Sequence, residues 1–329
     1  MKQIQAKLNK GGTIYFLKGN YIITKQLIIP EGTELNLGEA TLKRCGNIQS
    51  IFINKCNSTT TKYKGAGKIK ITGGTFEGMA SYSVDNLLTF FHSHDIDLEY
   101  VTFQDTLCHS VELNSCKNVR IYSCNFLGSN TKEDYKEMIQ IDQAGVHSFV
   151  LNGTKPTDKC YDNTCCQNVV IEGCMFSKSE YRDLPKACIG NHTQIYGGGS
   201  MHKNIQILCN TFLCKGKEAT LSLIGMKNVL IEGNIFSGGG RLCRIYSKDC
   251  SYDAQGNKKE PKKNDGQCNK IKIRDNTYVS VSSSVPIYIF GCKHKNLEIT
   301  GNSIVTESKR EVLASGETKL KCGDHSYLS

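Results

Sequence analysis

Short apolar alternations recur along this chain in pairs: one alternation, a turn, then Asn-Val-x-Ile and an aromatic residue. The phrase stands at Asn118-Val119-Arg120-Ile121 before Phe126, at Asn168-Val169-Val170-Ile171 before Phe176, and at Asn228-Val229-Leu230-Ile231 before Phe236. Variants run from Ile69 to Phe76, Ile96 to Phe103, Ile205 to Phe212, Ile271 to Tyr278 and Leu297 to Ile304, and in every copy the large apolar residue falls seven places after the first. Each copy is too small to bury a core alone, so the repeat predicts a solenoid. Period-two alternation inside the copies makes it an all-β solenoid.

The first strand of each coil precedes that phrase. Aligned on it, Leu88, Val111, Ile139, Leu221, Cys243 and Ile287 form one inward column, and Phe90, Leu113, Ile141, Leu223, Ile245 and Ile289 a second. The residues between them must point outward. An aromatic column from Phe76 to Tyr278 lines another interior wall, and Asn210, Asn234, Asn276 and Asn302 are expected to form a structural ladder of amides. Coil length varies mainly at one corner, the turn after the first strand, with insertions at 143–167, 193–203 and 247–269. Stacked insertions on one corner would wall a groove beside the outward face of the first strands.

Composition refines this picture in three ways. The repeat continues without a linker, so one β-helix domain is expected over 1–304 with a capping segment at 305–329. A net charge of +10 suits a polyanionic partner such as an acidic polysaccharide, but the lysines are scattered apart from Lys258–Lys263, and with no tryptophan a nucleic-acid platform is not expected. Seventeen cysteines suggest oxidised chemistry, yet Cys124 and Cys174 share the repeat position of the ladder asparagines and read as buried free thiols. Cys160, Cys165, Cys166, Cys250 and Cys268 fall in the long loops and are the disulfide candidates. No metal set and no cofactor motif is found, and no long apolar run predicts a membrane span. No leader is seen at Met1-Lys2-Gln3-Ile4-Gln5, so a secretion signal is either lacking or lost.

The opening Gly11-Gly12-Thr13-Ile14-Tyr15-Phe16, Gly19-Asn20-Tyr21 and Ile28-Ile29-Pro30, with the coil phrases to residue 304, resembles the pectate lyase-like superfamily. That resemblance implies a single-stranded right-handed parallel β-helix, a scaffold that carries hydrolases, lyases, epimerases and phage tailspikes. Glu137-Met138-Ile139-Gln140-Ile141-Asp142 and Ile189-Gly190-Asn191-His192 resemble segments of poorly characterised Gram-positive β-helix proteins, which points to a secreted or cell-surface setting. The polygalacturonase motifs Asp-Asp, Gly-His-Gly and Arg-Ile-Lys are missing from the aligned coils.

Two outward columns carry the candidate chemistry: Thr89, Glu112, Gln140, Gly190, Ser222, Arg244, Tyr288, and beside it Phe91, Asn114, Asp142, His192, Ile224, Tyr246, Phe290. A polar centre with aromatic ends suits a sugar cleft. Glu112 and Asp142 should lie diagonally at roughly 8 Å, within the separation of about 6.5–9.5 Å that inverting glycosidases use. Gln140, Asn114, His192, Arg244, Tyr246 and, more weakly, His109 are expected to bind substrate, with His192 in hydrogen-bond reach of Asp142. The expected function is an inverting glycoside hydrolase acting on a poly- or oligosaccharide. The alternatives are a polysaccharide lyase or uronate epimerase, and a non-catalytic glycan-binding or tailspike-type β-helix; monomer and trimer stay open.

Overall fold

A computed structural model of the protein describes residues 1–78, 86–129, 136–198, 202–216, 219–280, 283–308, 310, 312–314, 320–323 and 326–327. Its first strands stack into a ten-stranded parallel sheet, and the remaining two walls of each coil join in one twenty-stranded sheet. The register matches the repeat: Glu112 pairs with Thr89 and Gln140, Gln140 with Gly190, Gly190 with Ser222, and Ser222 with Arg244. Both inward columns are buried in one continuous core. The short helix Lys2–Leu8 closes the first end, with Leu8 in the core and Gln5 bonded to both backbone groups of Ile28.

Aromatic residues stack from coil to coil along the interior. Phe76, Phe103, Phe126, Phe176, Phe212 and Phe236 have successive ring centroids 4.7–5.6 Å apart, close to the rung spacing of about 4.8 Å. The corners obey a second rule. The Asn of the recurring phrase is left-handed at Asn118, Asn168, Asn204 and Asn228, with φ of 55–58°, a conformation that asparagine tolerates better than most residues. Their exposed amides chain together, Asn228 to Asn204 to Asn168 to Asn118, each step 2.8 Å.

The buried corner holds the expected ladder, with Asn210, Asn234, Asn276 and Asn302 linked amide to amide at 2.9–3.0 Å. Each also donates to a backbone carbonyl of the preceding coil. Cys124 and Cys174 take that position earlier in the chain and donate their thiols to Leu98 and Ile121 in the same way. Cys116, Cys166 and Cys268 do likewise at another corner, toward Phe90, Leu113 and Leu223.

These contacts correct the disulfide expectation: all seventeen cysteines are free thiols, Cys160, Cys165, Cys166, Cys250 and Cys268 included. Cys166 and Cys268 end their loops with the sulfur turned into the core. Cys160 packs in a second apolar cluster outside the helix with Ile53, Phe91, Phe149, Leu151 and Tyr161.

That second cluster changes the groove. The insertion after Asp142 folds back across the first-strand sheet, where Phe149 and Tyr161 meet Phe91 and Val150 accepts a bond from Gln49. His92, buried, fastens it through Cys160 O at 2.6 Å. The outward face is therefore roofed, and Phe91 belongs to the roof's core instead of offering a ring to a sugar. Part of the 193–203 insertion, and parts of 305–329, lie outside the described residues. The tail's strands Val312–Ala314, Leu320–Cys322 and Ser326–Tyr327 pair in parallel with the coil before them. Among the described residues no helix is long and apolar enough to cross a membrane.

The two asparagine columns differ in burial, and mutation should separate them. Asn234→Ala strands buried polar groups above and below and should cost about 2–3 kcal/mol, read as a lowered thermal or urea midpoint. Asn204→Gly, at an exposed left-handed corner, should stay within about 0.5 kcal/mol.

Candidate functional site

A cleft of about 320 Å³ opens at the edge of the roof, lined by Glu112, Gln140, His109 and His192, with Phe149 and Val150 as its apolar side. Asn86, Cys108 and Lys136 complete its polar wall. Three adjacent coils converge here because outward positions of paired strands stack one above another.

Glu112 is buried, accepting a bond from Thr89 at 3.2 Å and a short one from Asn86. Burial pushes its carboxyl above the usual range, and the nearby Asp142 charge adds to this, against the opposing effects of His109, Asn114 and Thr89. Burial likewise raises Asp142, which accepts bonds from Gln140 at 2.9 Å and Thr193 at 3.1 Å.

His192 departs from the expected geometry. The strand at this coil is only Ile189–Gly190, so the chain has left the sheet before His192. Its Nε2 lies 3.9 Å from Asp142 Oδ2 and its Nδ1 3.7 Å from Glu137 Oε2, an ion pair with each but beyond hydrogen-bond length. Thr193 and Gln140 hold Asp142 instead. Burial would lower the imidazole, yet Glu137 and Asp142 outweigh it and His192 titrates above its ordinary value. Burial would raise Glu137, yet His192 and His109 outweigh it and the carboxyl is held low. Each partner thus favours the charged form of the other. His109 lies against His192 with centroids 6.5 Å apart, and its Nδ1 is 2.5 Å from Glu137 O.

Glu137 is absent from the two expected columns. Asn86, His109 and Glu137 each stand two residues before the first inward residue of their coil, at Leu88, Val111 and Ile139. Alternation alone would turn them inward, in phase with the inward residue two places on; the pattern breaks at the strand entrance, where Leu87 and Met138 enter the core, Asn86 and His109 line the cleft and Glu137 meets His192. Glycine at 190 makes room for that carboxylate: a Cβ there would sit 3.2 Å from Glu137 Oε1 and 2.6 Å from Ser222 O.

The expected residues divide into three groups. Glu112, Gln140, His109 and His192 line the cleft. Asp142 and Asn114 are fully buried behind it, and both amide atoms of Asn114 lack a hydrogen-bond partner. Arg244 and Tyr246 lie apart: Arg244 bonds Ser222 at 2.9 Å and sits over the Tyr246 ring, which is itself buried against Phe290. Tyr246 therefore has no free face for a sugar. Burial pushes the Cys108 thiol up to about 12, so it is not a thiolate nucleophile. Among the described residues no group of three His, Cys, Asp or Glu side chains is arranged to hold a metal ion.

No family model matches the chain. Plasmin and fibronectin-binding protein A of Streptococcus pneumoniae is 26% identical over 257 residues, covering 69% of this chain, which spans about a third (34%) of that protein's length. The crystal structure of PfbA, a surface adhesin of the same organism, superposes over 99% of this chain and 87% of its own with a TM-score of 0.77 at 20% identity. An exopolygalacturonase from Thermotoga maritima matches with a TM-score of 0.55 at 12% identity, over 99% and 86% of the two chains. The tailspike of E. coli bacteriophage HK620, solved with a pentasaccharide, matches with 0.58 at 15%, over 98% and 60%. The strand register and these likenesses agree: the chain has the pectate lyase-like fold, a right-handed parallel β-helix.

Proposed function

We propose that this chain is a cell-surface or secreted carbohydrate-active protein that holds a poly- or oligosaccharide in the cleft at Glu112 and hydrolyses a glycosidic bond with inversion. One observation carries the reading: a buried carboxyl and a histidine backed by two buried carboxylates line the same cleft. Glu112, whose protonated form burial favours, gives its proton to the leaving oxygen. His192, in its neutral form, takes a proton from the attacking water, and Glu137 and Asp142 stabilise the imidazolium that results. Asp142 thus acts through His192 as a positioning residue instead of meeting water itself. Gln140 and Asn86 supply amides for hydroxyls, and Phe149 an apolar wall.

A second reading, a glycan-binding module without turnover, is favoured by one observation. A relative 26% identical to this chain is described as a binding protein, and the structure of PfbA as that of a surface adhesin. A time course against neutral and uronate-containing glycans, reading new reducing ends and unsaturated-uronate absorbance together, separates these classes. Reducing ends without absorbance are expected, and Glu112→Gln should lower the rate by about 10²–10⁴-fold. Absorbance would move the case to a lyase, and silence in both channels with retained glycan binding would favour the adhesin reading.

The protonation states are testable without a substrate. Glu137 and Asp142 favour the charged imidazole, so removing either carboxylate must lower the His192 pKa. Glu137→Gln and Asp142→Asn should each move the His192 midpoint, followed by NMR of the ring protons, to lower pH. An unchanged or higher midpoint in both variants would sink the proposed role of the carboxylates.

A further inference from the structure

The outward face of the sheet built from the recurring phrase is divided by charge along the helix axis. Over His94–Glu99, Lys117–Tyr122 and Gln167–Glu172, together with Lys70 of the coil before them, cations and carboxylates are matched, and Lys70 and Arg120 are tied to Asp97 and Glu99. Beyond Gln167–Glu172 the balance changes. Lys203, Lys227, Lys270 and Lys295 are exposed and have no ion pair among the described residues. Lys272 and Lys321 share the one carboxylate of Glu298, and Arg274 meets Glu232. Seven cations thus face two carboxylates on five successive rungs.

Their placement is regular. Lys203 is in register with Lys227, Lys227 with Asn269, and Asn269 with Lys295, so Lys203 and Lys227 stand one rung of about 4.8 Å apart, Lys295 lies two rungs beyond Lys227, and Lys270 follows the intervening Asn269. Beside them run Asn204, whose ladder bonds use one N–H and one lone pair, and Asn228, whose ladder bond uses one N–H. The remaining N–H groups and lone pairs point to solvent. A shallow groove of about 540 Å³ runs beside them, with Asn204, Asn228, Lys270, Lys272, Arg274 and Lys321 in its lining.

We infer that this face is a docking surface for an acidic polysaccharide, separate from the cleft at Glu112. Rows of unneutralised cations spaced like links of a polymer attract a chain with an anionic group on successive units. The free amide groups between them match hydroxyls. The groove is lined by Asn, Gln, Ile, Val, Leu, Lys, Arg and the single carboxylate Glu298, with no aromatic ring, so it lacks the stacking platform that single-stranded nucleic acid needs. The lysines that look scattered along the sequence are gathered here by the coil period.

The test measures binding to polygalacturonate by calorimetry, in a Glu112→Gln background so that the probe stays intact. Lys203→Glu, Lys227→Glu and Lys270→Glu are combined in one variant. Lys25→Glu, Lys258→Glu and Lys263→Glu, which change net charge equally elsewhere, are combined in a second. The face variant should weaken binding about tenfold, equivalent to ~1.4 kcal/mol, and added salt should weaken wild-type binding. The control variant should stay within about twofold. Equal losses in the two variants would reduce the effect to net charge and overturn the assignment. So would failure of the wild type to bind polygalacturonate, or tighter binding of a poly-deoxythymidine strand. All six lysines are exposed, and unchanged melting of both variants verifies that folding is not what was altered.

Discussion

A β-helix must turn corners inside its own core, and every buried turn leaves backbone groups that need a partner. Here one side chain per corner meets that demand, donating to a carbonyl of the preceding coil. Asn does this in the later coils and Cys in the earlier ones, at the same repeat position. Amide and thiol share the requirement for a small donor that fits between stacked rungs. The aromatic stack then fills the interior between corners, and neither device works unless successive coils stay in register. Register is thus the constraint on which the outward columns, and the site, depend.

The site adds a second constraint. Glu112, Glu137 and Asp142 are all buried, and taking such charges from water costs several kcal/mol each unless they are paired or neutralised. The protein answers in two ways. Burial pushes Glu112 and Asp142 toward their neutral forms, Asp142 while it accepts bonds from Gln140 and Thr193, whereas His192 and His109 favour the charged form of Glu137. The roof makes these differences large, because it excludes water from one side of the sheet. A groove with the same residues but no roof would hold ordinary carboxylates.

The all-β solenoid, its two inward columns and the amide ladder were legible because they repeat, and repetition averages out local ambiguity. Glu112 and Gln140 were placed on neighbouring rungs by the same alternation. Legibility failed where the repeat is broken. No period describes the insertion after Asp142, so the burial of Phe91 beneath Phe149 and Tyr161 had no signature. Tyr246 and Phe290 were placed side by side in one column, but a column does not say that the two rings close on each other and, with Arg244 over the first, leave it no free face. Glu137 was missed for a related reason: Met138 and Ile139 both enter the core, so the alternation breaks at the strand entrance, where it would have turned Glu137 inward.

The broken coil explains why chemistry gathers at this height of the helix. A full strand after Gly190 would place residue 192 directly beside Asp142, in the flat spacing that every other rung shares. Because the strand stops at Gly190, His192 swings free of that spacing and reaches Glu137 as well, while glycine at 190 leaves space for the carboxylate beneath. Asn191 repairs the break by bonding both backbone groups of Ile224, so the next coil keeps its register. An interrupted rung held by one asparagine clamp thus places a histidine between two acids without disturbing the stack on either side. Regular coils supply the columns, and the irregular one supplies the convergence that a reactive site requires.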